Sequence, residues 1–185
     1  MNNQFTPRVS DIIMYSKEEA NRLNSTYIGP EHLLLGLIRE GEGKAIEVLF
    51  NLQIDLKELK SEVENRLRTA TCDDAPAGAE EVNFNNEASR ILKLCILEAR
   101  LMKCEAVDTE HILLAIMKQK NNNASQLLEA HEVTYEKVME MLTPKTDPAP
   151  RAGLGFDEDE EEEEERPLIN RPSGNAQGGS TQQTR

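Results

Sequence analysis

Apolar positions along the chain fall into blocks of helical period separated by short polar breaks. Val9, Ile12, Ile13, Ala20 and Leu23 recur at helical spacing, with Asp11, Lys17, Glu18 and Arg22 between them, which predicts an amphipathic helix. Thr6-Pro7 offers a hydroxyl cap followed by proline at the first helical position, so this helix is expected to start there and to end before Ser25-Thr26. A second helix is predicted over 31–40, opened by Pro30, with Glu31 complementing the positive end of the helix dipole. Leu33, Leu34, Leu35, Leu37 and Ile38 leave it few polar positions, so it belongs at the centre of its unit. Gly41-Glu42-Gly43 breaks the chain before a short third helix over 44–52. Asp55 then caps a fourth that runs through Leu67, with Leu56, Leu59, Val63 and Leu67 on one stripe. No strand pattern of any length is visible.

The same scheme recurs at a constant offset of 79 residues. Phe5 pairs with Phe84, Glu19-Ala20 with Glu98-Ala99, Glu31-His32 with Glu110-His111, Leu34-Leu35 with Leu113-Leu114, and Leu49 with Leu128. A single offset unbroken by gaps signals two copies of one supersecondary unit. The second copy predicts helices over roughly 85–103, 109–119, 122–130 and 134–142, with Asp108 as the cap of the second. The segment from Thr69 to Glu81, with Pro76 and Gly78, reads as a surface loop between the copies. The expected fold is therefore all-α. Two tandem four-helix repeats (5–68 and 84–142), related by a pseudo-twofold, make a domain over 1–142. From Thr143 the chain turns Pro- and Gly-rich around nine consecutive acidic residues, Asp157 to Glu165. Such a composition cannot bury enough surface to offset chain entropy, so 143–185 is expected to be a disordered acidic linker.

Charge narrows the partners. The net charge is −13, and five cations face ten carboxylates in the tail, so both parts of the chain are acidic. Nucleic acid and anionic membrane surfaces, both of which reward Lys and Arg, are disfavoured. Cys72, Cys95 and Cys104 are odd in number and form no CxxC, as expected of incidental thiols in a reduced protein. The opening MNNQFTPR carries no apolar stretch, and the longest apolar run, Leu33 to Ile38, is too short to span a bilayer. A soluble, cytoplasmic protein is the resulting expectation.

Tyr27-Ile28-Gly29-Pro30-Glu31-His32-Leu33-Leu34-Leu35-Gly36-Leu37-Ile38-Arg39-Glu40-Gly41-Glu42-Gly43 resembles the signature of the Clp N-terminal domain. Phe5-Thr6-Pro7-Arg8 and Glu19-Ala20 support the match, and Val107-Asp108-Thr109-Glu110-His111-Ile112-Leu113-Leu114-Ala115-Ile116 is its second-repeat version. The resemblance covers residues 1 to about 142 and is greatest to ClpC-type proteins, the AAA+ unfoldases that feed the ClpP protease. It implies a module that recruits client proteins and adaptors to a hexameric ring through a flexible linker. No ATP or Mg²⁺ is expected in this piece, because Gly41-Glu42-Gly43-Lys44-Ala45 has the wrong spacing for a phosphate-binding loop and lacks its hydroxyl. The chain is expected to be a monomeric fragment without catalysis of its own, the ATPase modules lying beyond Arg185. A stand-alone accessory protein is the alternative.

The resemblance also implies a ligand, phosphorylated arginine, whose guanidinium suits a carboxylate and whose phosphate suits helix amino ends and hydroxyls. The family glutamates map onto Glu31 and Glu110, with Thr6 and Arg8 as hydroxyl and cation of the first site and Thr109 retained in the second. Pro30 departs from the threonine of the pattern, Asp108 from its glycine, and Asn85-Asn86-Glu87 from Thr-Pro-Arg. Without a ligand, Glu31 and Glu110 would still be favourable charges at helix starts, worth roughly 0.3–1 kcal/mol. Phe5 is a candidate contact for adaptors or peptides, with packing on the first helix as the plainer role. His32 and His111 read as rings hydrogen-bonded at a helix start rather than as metal ligands. An enzymatic reading, a small all-α hydrolase using Glu31 and Glu110 as paired acids, would require the two carboxylates to share one pocket.

Overall fold

The computed structural model describes residues 4–70 and 82–143. Eight helices occur among them: α1 (Pro7–Arg22), α2 (Pro30–Glu40), α3 (Lys44–Asn51), α4 (Leu56–Ala70), α5 (Asn86–Leu101), α6 (Thr109–Lys118), α7 (Asn123–Ala130) and α8 (Tyr135–Leu142). The predicted caps are in place. The Thr6 hydroxyl accepts from the Val9 N–H at 3.4 Å, and Asp55 Oδ1 accepts from Lys57 and Glu58. Helix α4 continues to Ala70 and so takes in the first residues of the expected loop; the remainder of that loop, and all of the expected linker beyond Thr143, lie outside the described residues.

The expectation of an all-helical chain without strands needs one correction. Tyr27–Ile28 (β1) pairs in parallel with Asn83–Phe84 (β2), and Phe5 bridges in parallel to Val107. Two-residue strands have no period to read, and each finds its partner far away in sequence. Their arrangement follows the pseudo-twofold. The start of the first repeat pairs with the segment before α6, and the start of the second pairs with the segment before α2. Backbone hydrogen bonds repeat the rule: Thr6 N–H donates to the Val107 carbonyl at 2.9 Å, and Asn85 N–H to the Ile28 carbonyl at 3.0 Å.

The helices follow the same exchange. α2 and α6 are buried along nearly their whole length, each packed on the preceding helix of its own repeat. Across the boundary α3 packs on α6 and α8, while α7 packs on α2 and α4. One apolar core therefore runs from Val9 through Leu67 into Ala88 and on to Val138, shared by both repeats. Helix ends obey the twofold too. The left-handed residues Asn24 and Gln53 recur as Lys103 and Glu132, with φ between 52° and 61°.

Two buried carboxylates in this core are held by close cations, which offsets the cost of taking a charge from water. Glu19 receives Arg22 and Arg39, and its counterpart Glu98 receives Lys118 and the Tyr135 hydroxyl. Burial alone would raise the Glu19 pKa, but the hydrogen bond and charge of Arg22, with Lys60 and Arg39, outweigh it and hold the carboxyl below its ordinary value. Cys95 is inert: burial pushes its thiol up to about 12.

The tightest approach is between α1 and α2 at Gly36. A Cβ there would stand 2.4 Å from Ser16 Oγ and 2.6 Å from the Ile12 carbonyl oxygen. Gly36→Ala is expected to lower stability by roughly 1–3 kcal/mol, read from urea unfolding. Adding Ser16→Ala should not restore it, because the Ile12 carbonyl remains in the way.

Candidate functional site

The exchanged pairing decides which predicted residues meet. Sequence reasoning grouped Thr6 and Arg8 with Glu31; the fold places Thr6 beside the start of α6 and hence in the neighbourhood of Glu110. The Thr6 hydroxyl donates to Asp108 Oδ1 at 3.4 Å. Arg8 is held by Glu40 at 2.9 Å and by Glu42 at 3.0 Å. Thr109 Oγ1 donates to Glu110 Oε2 at 3.4 Å, and Lys44 Nζ lies 3.4 Å from Glu110 Oε1. The amino ends of α1, α3 and α6 thus converge, and an open groove of about 650 Å³ continues from Arg8 past Glu42 and Gly43 to Phe50. Lys44, which sequence reasoning left out of the site, reaches Glu110 because α3 packs on the other repeat.

Glu110 is only 2% exposed, and its one cation among the described residues is the exposed Lys44. Glu31 is likewise buried but has no ion pair among the described residues. It lies back over Gly29, where a Cβ would stand 2.8 Å from its Oε2 and 3.4 Å from Asn85 Nδ2. The two glutamates share no partner. Phe5 is half-buried and packed on the core beside its bridge to Val107, so its structural role is contact with the second repeat.

The departure at Pro30 has a local explanation. α3 begins after Gly43, at φ 92°, with no side chain to cap it. Thr109 supplies the cap from the other repeat: its Oγ1 accepts from the Ala45 N–H at 3.2 Å, and it fills the space a Cβ at Gly43 would need. In the second repeat Asn122 caps α7 itself, accepting from Ser125 N–H at 2.7 Å. The residue equivalent to Thr109 has no cap to provide there, and it is Pro30.

His32 and His111 sit at equivalent places, fully buried. Each Nδ1 accepts a backbone N–H, from Gly29 at 3.0 Å and Asp108 at 2.9 Å, which puts the ring proton on Nε2. Burial lowers the His32 pKa to about 4, against a small opposing pull from Glu19, and lowers His111 as well. Among the described residues no group of three or more His, Cys, Asp or Glu is placed to hold a metal ion.

The model of the Clp repeat (R) N-terminal domain matches residues 4–131. The chain belongs to that family. It is 35% identical over 138 residues to an ATP-dependent Clp protease ATP-binding subunit of Guillardia theta, the alignment covering 75% of this chain and 16% of that protein. To the chloroplastic chaperone protein ClpC2 of Arabidopsis thaliana it is 36% identical over 129 residues, covering 70% of this chain and 13% of that one. The chain thus spans only a small part of the length of the curated relatives it matches. Among solved structures, the N-terminal domain of Hsp104 from Candida albicans superimposes with a TM-score of 0.61 at 16% identity, over 75% of this chain and 89% of that one. That of ClpD from Arabidopsis thaliana gives 0.60 at 22% identity, over 75% and 91%. These likenesses establish the all-α Clp-N fold. No helix among the described residues is long and apolar enough to cross a membrane.

Two expectations follow for this Clp-N domain. Thr109→Ala strands the buried Ala45 N–H and should cost roughly 1–3 kcal/mol in denaturant unfolding, whereas Thr109→Ser keeps the acceptor and most of the stability. Folding also keeps His32 neutral, so the unfolded chain binds more protons below its ordinary pKa. Stability should fall as pH drops from 6.5 towards about 4. The loss from His32 is on the order of 3 kcal/mol. His32→Gln should flatten that part of a pH–stability profile.

Proposed function

We propose that this domain recruits client proteins and adaptors to the ATP-driven ring of a Clp unfoldase working with a ClpP-type protease. Family membership supports the role, and so does the site: an open, polar meeting of three helix ends with no chemistry of its own. ATP and Mg²⁺ act only in the ring modules of such an assembly, which is a hexamer in the full-length protein, and the domain itself is not an enzyme. The compartment proposed for it is the cytoplasm, although relatives include chloroplastic proteins.

Within this role the composite site of Thr6, Arg8, Lys44, Thr109 and Glu110 is proposed to take phosphorylated arginine on marked clients. The observation that carries this is Glu110, a buried carboxylate whose only cation among the described residues is the exposed Lys44, at 3.4 Å. A planar guanidinium, with its two-pronged donors, competes well against a single ammonium there. The phosphate would meet the amino ends of α1 and α3 and the freed Lys44. Glu31 anchors the other, pseudo-equivalent site, which has Glu87 where this composite site has Arg8 and is therefore the weaker of the two. Glu31 lies over Gly29 and Glu110 beside Thr109 and Lys44, with no shared partner among the described residues, which supports docking over the hydrolase alternative.

Calorimetric titration with free phosphoarginine tests the ligand. Wild type should release heat, Glu110→Ala should weaken binding by about tenfold or more, and Glu31→Ala should have a smaller effect. Absence of heat from wild type would remove phosphoarginine while leaving recruitment intact. Recruitment is tested by competition: excess domain should slow degradation of an adaptor-delivered client by a reconstituted Clp ATPase–protease pair. Unchanged degradation would overturn the role.

A further inference from the structure

The repeats diverge sharply on the outer faces of α1 and α5. In α1 the positions Tyr15, Glu18 and Arg22 are all engaged. Tyr15 lies under the Arg39 guanidinium at 4.7 Å, Glu18 bonds Arg39 at 2.6 Å, and Arg22 bridges Glu19 and Glu64. Their equivalents in α5 are Leu94, Leu97 and Leu101. Leu97 is 50% exposed and Leu101 is 68% exposed. Two exposed leucines, with the half-buried Leu94 one turn before them, stand in place of an ion-paired face and call for a partner.

The surroundings specify its chemistry. Leu94 and Leu97 form the floor of an open groove of about 830 Å³, rimmed by Arg90 and Lys93 of α5 and by Lys118 and Lys120 at the end of α6. Glu87 is its single acidic wall residue. Lys118 is committed to Glu98, but Arg90, Lys93 and Lys120 have no ion pair among the described residues. A cationic rim around an apolar floor, in a chain of net charge −13, is the reverse of the rest of the surface.

We infer that this groove docks an acidic amphipathic helix of a partner protein. The leucine stripe from Leu94 to Leu101 covers two turns, about 10 Å, so a partner helix of two or three turns spans it. Apolar residues of the partner at i, i+3 or i+4, and i+7 lie on the leucines, and its carboxylates face Arg90, Lys93 and Lys120. The lysine and arginine stems extend the apolar contact while their charges meet the partner. An anionic bilayer would also meet leucines and cations, but a concave groove presents them to a rod rather than to a plane, and the net charge repels such a surface. The biological use of the groove rests on the recruiting role proposed above; its existence as a binding surface does not.

The probe is a fluorescein-labelled synthetic peptide of about fifteen residues, with leucines on one helical stripe and glutamates elsewhere. The full chain should raise its anisotropy saturably, and added salt should weaken binding. Leu97→Ser with Leu101→Ser, and separately Arg90→Glu with Lys93→Glu, should each weaken it by about tenfold or more. Glu18→Ser, on the equivalent face of α1, should leave it unchanged. All these positions are exposed, and circular dichroism checks that each variant folds. The inference is overturned if both pairs of substitutions leave affinity unchanged, or if a scrambled peptide of the same composition binds equally well. It is also overturned if the peptide does not bind while phosphatidylserine vesicles do and the leucine substitutions abolish that. None of those results would touch recruitment, which is read separately by client competition.

Discussion

The exchange of short parallel pairings between the repeats is the constraint on which the rest of this domain depends. Phe5 lies on Val107 and Phe84 on Ile28, so each repeat begins against the other's central helix. A few backbone hydrogen bonds contribute modestly to stability. Their consequence is geometric, because they fix where the amino end of α1 meets the amino end of α6. Neither repeat could close its core alone: α3 and α7 each cover the partner's central helix. Duplication has produced one interlocked body rather than two beads.

Charge in the interior follows two different rules. Glu19 and Glu98 are buried with close cations, and they tie α2 to α1 and α6 to α5 in the same way. Pairs of this kind add little net stability over an apolar alternative, but they hold one arrangement of the helices, since breaking them would strand a buried charge. Glu31 and Glu110 are as deeply placed yet loosely partnered. Among the described residues Glu110 is ion-paired only with the exposed Lys44 and Glu31 with no cation, whereas Glu19 and Glu98 are held by close cations.

Divergence between the repeats is as informative as their likeness. Thr109 caps α3 across the boundary because Gly43 cannot, while Asn122 caps α7 alone and leaves Pro30 free of the task. Each departure from symmetry thus comes with a compensating one at the position it touches. The leucine face of α5 is different. Its ion-paired counterpart on α1 is fully satisfied, and nothing among the described residues covers the leucines. An uncompensated departure on a surface marks a place where a second molecule completes the packing.

The eight helices, their caps at Thr6, Asp55 and Asp108 and the buried status of α2 and α6 were all legible in the chain, because helical periodicity and capping act over a few residues. The 79-residue offset carried the duplication, and the motif around Glu31 and Glu110 carried the family. What the chain could not convey is which repeat's residues meet. The family pattern put Thr6 and Arg8 in the first site with Glu31, yet the fold sets Thr6 beside the start of α6 and Arg8 against Glu40 and Glu42. Lys44 and the Gly43–Thr109 contact were invisible for the same reason. Pairings between segments about a hundred residues apart leave no local pattern, and two-residue strands are too short to show one. Local physics wrote the helices, and only the closing of one shared core decided how their ends come together.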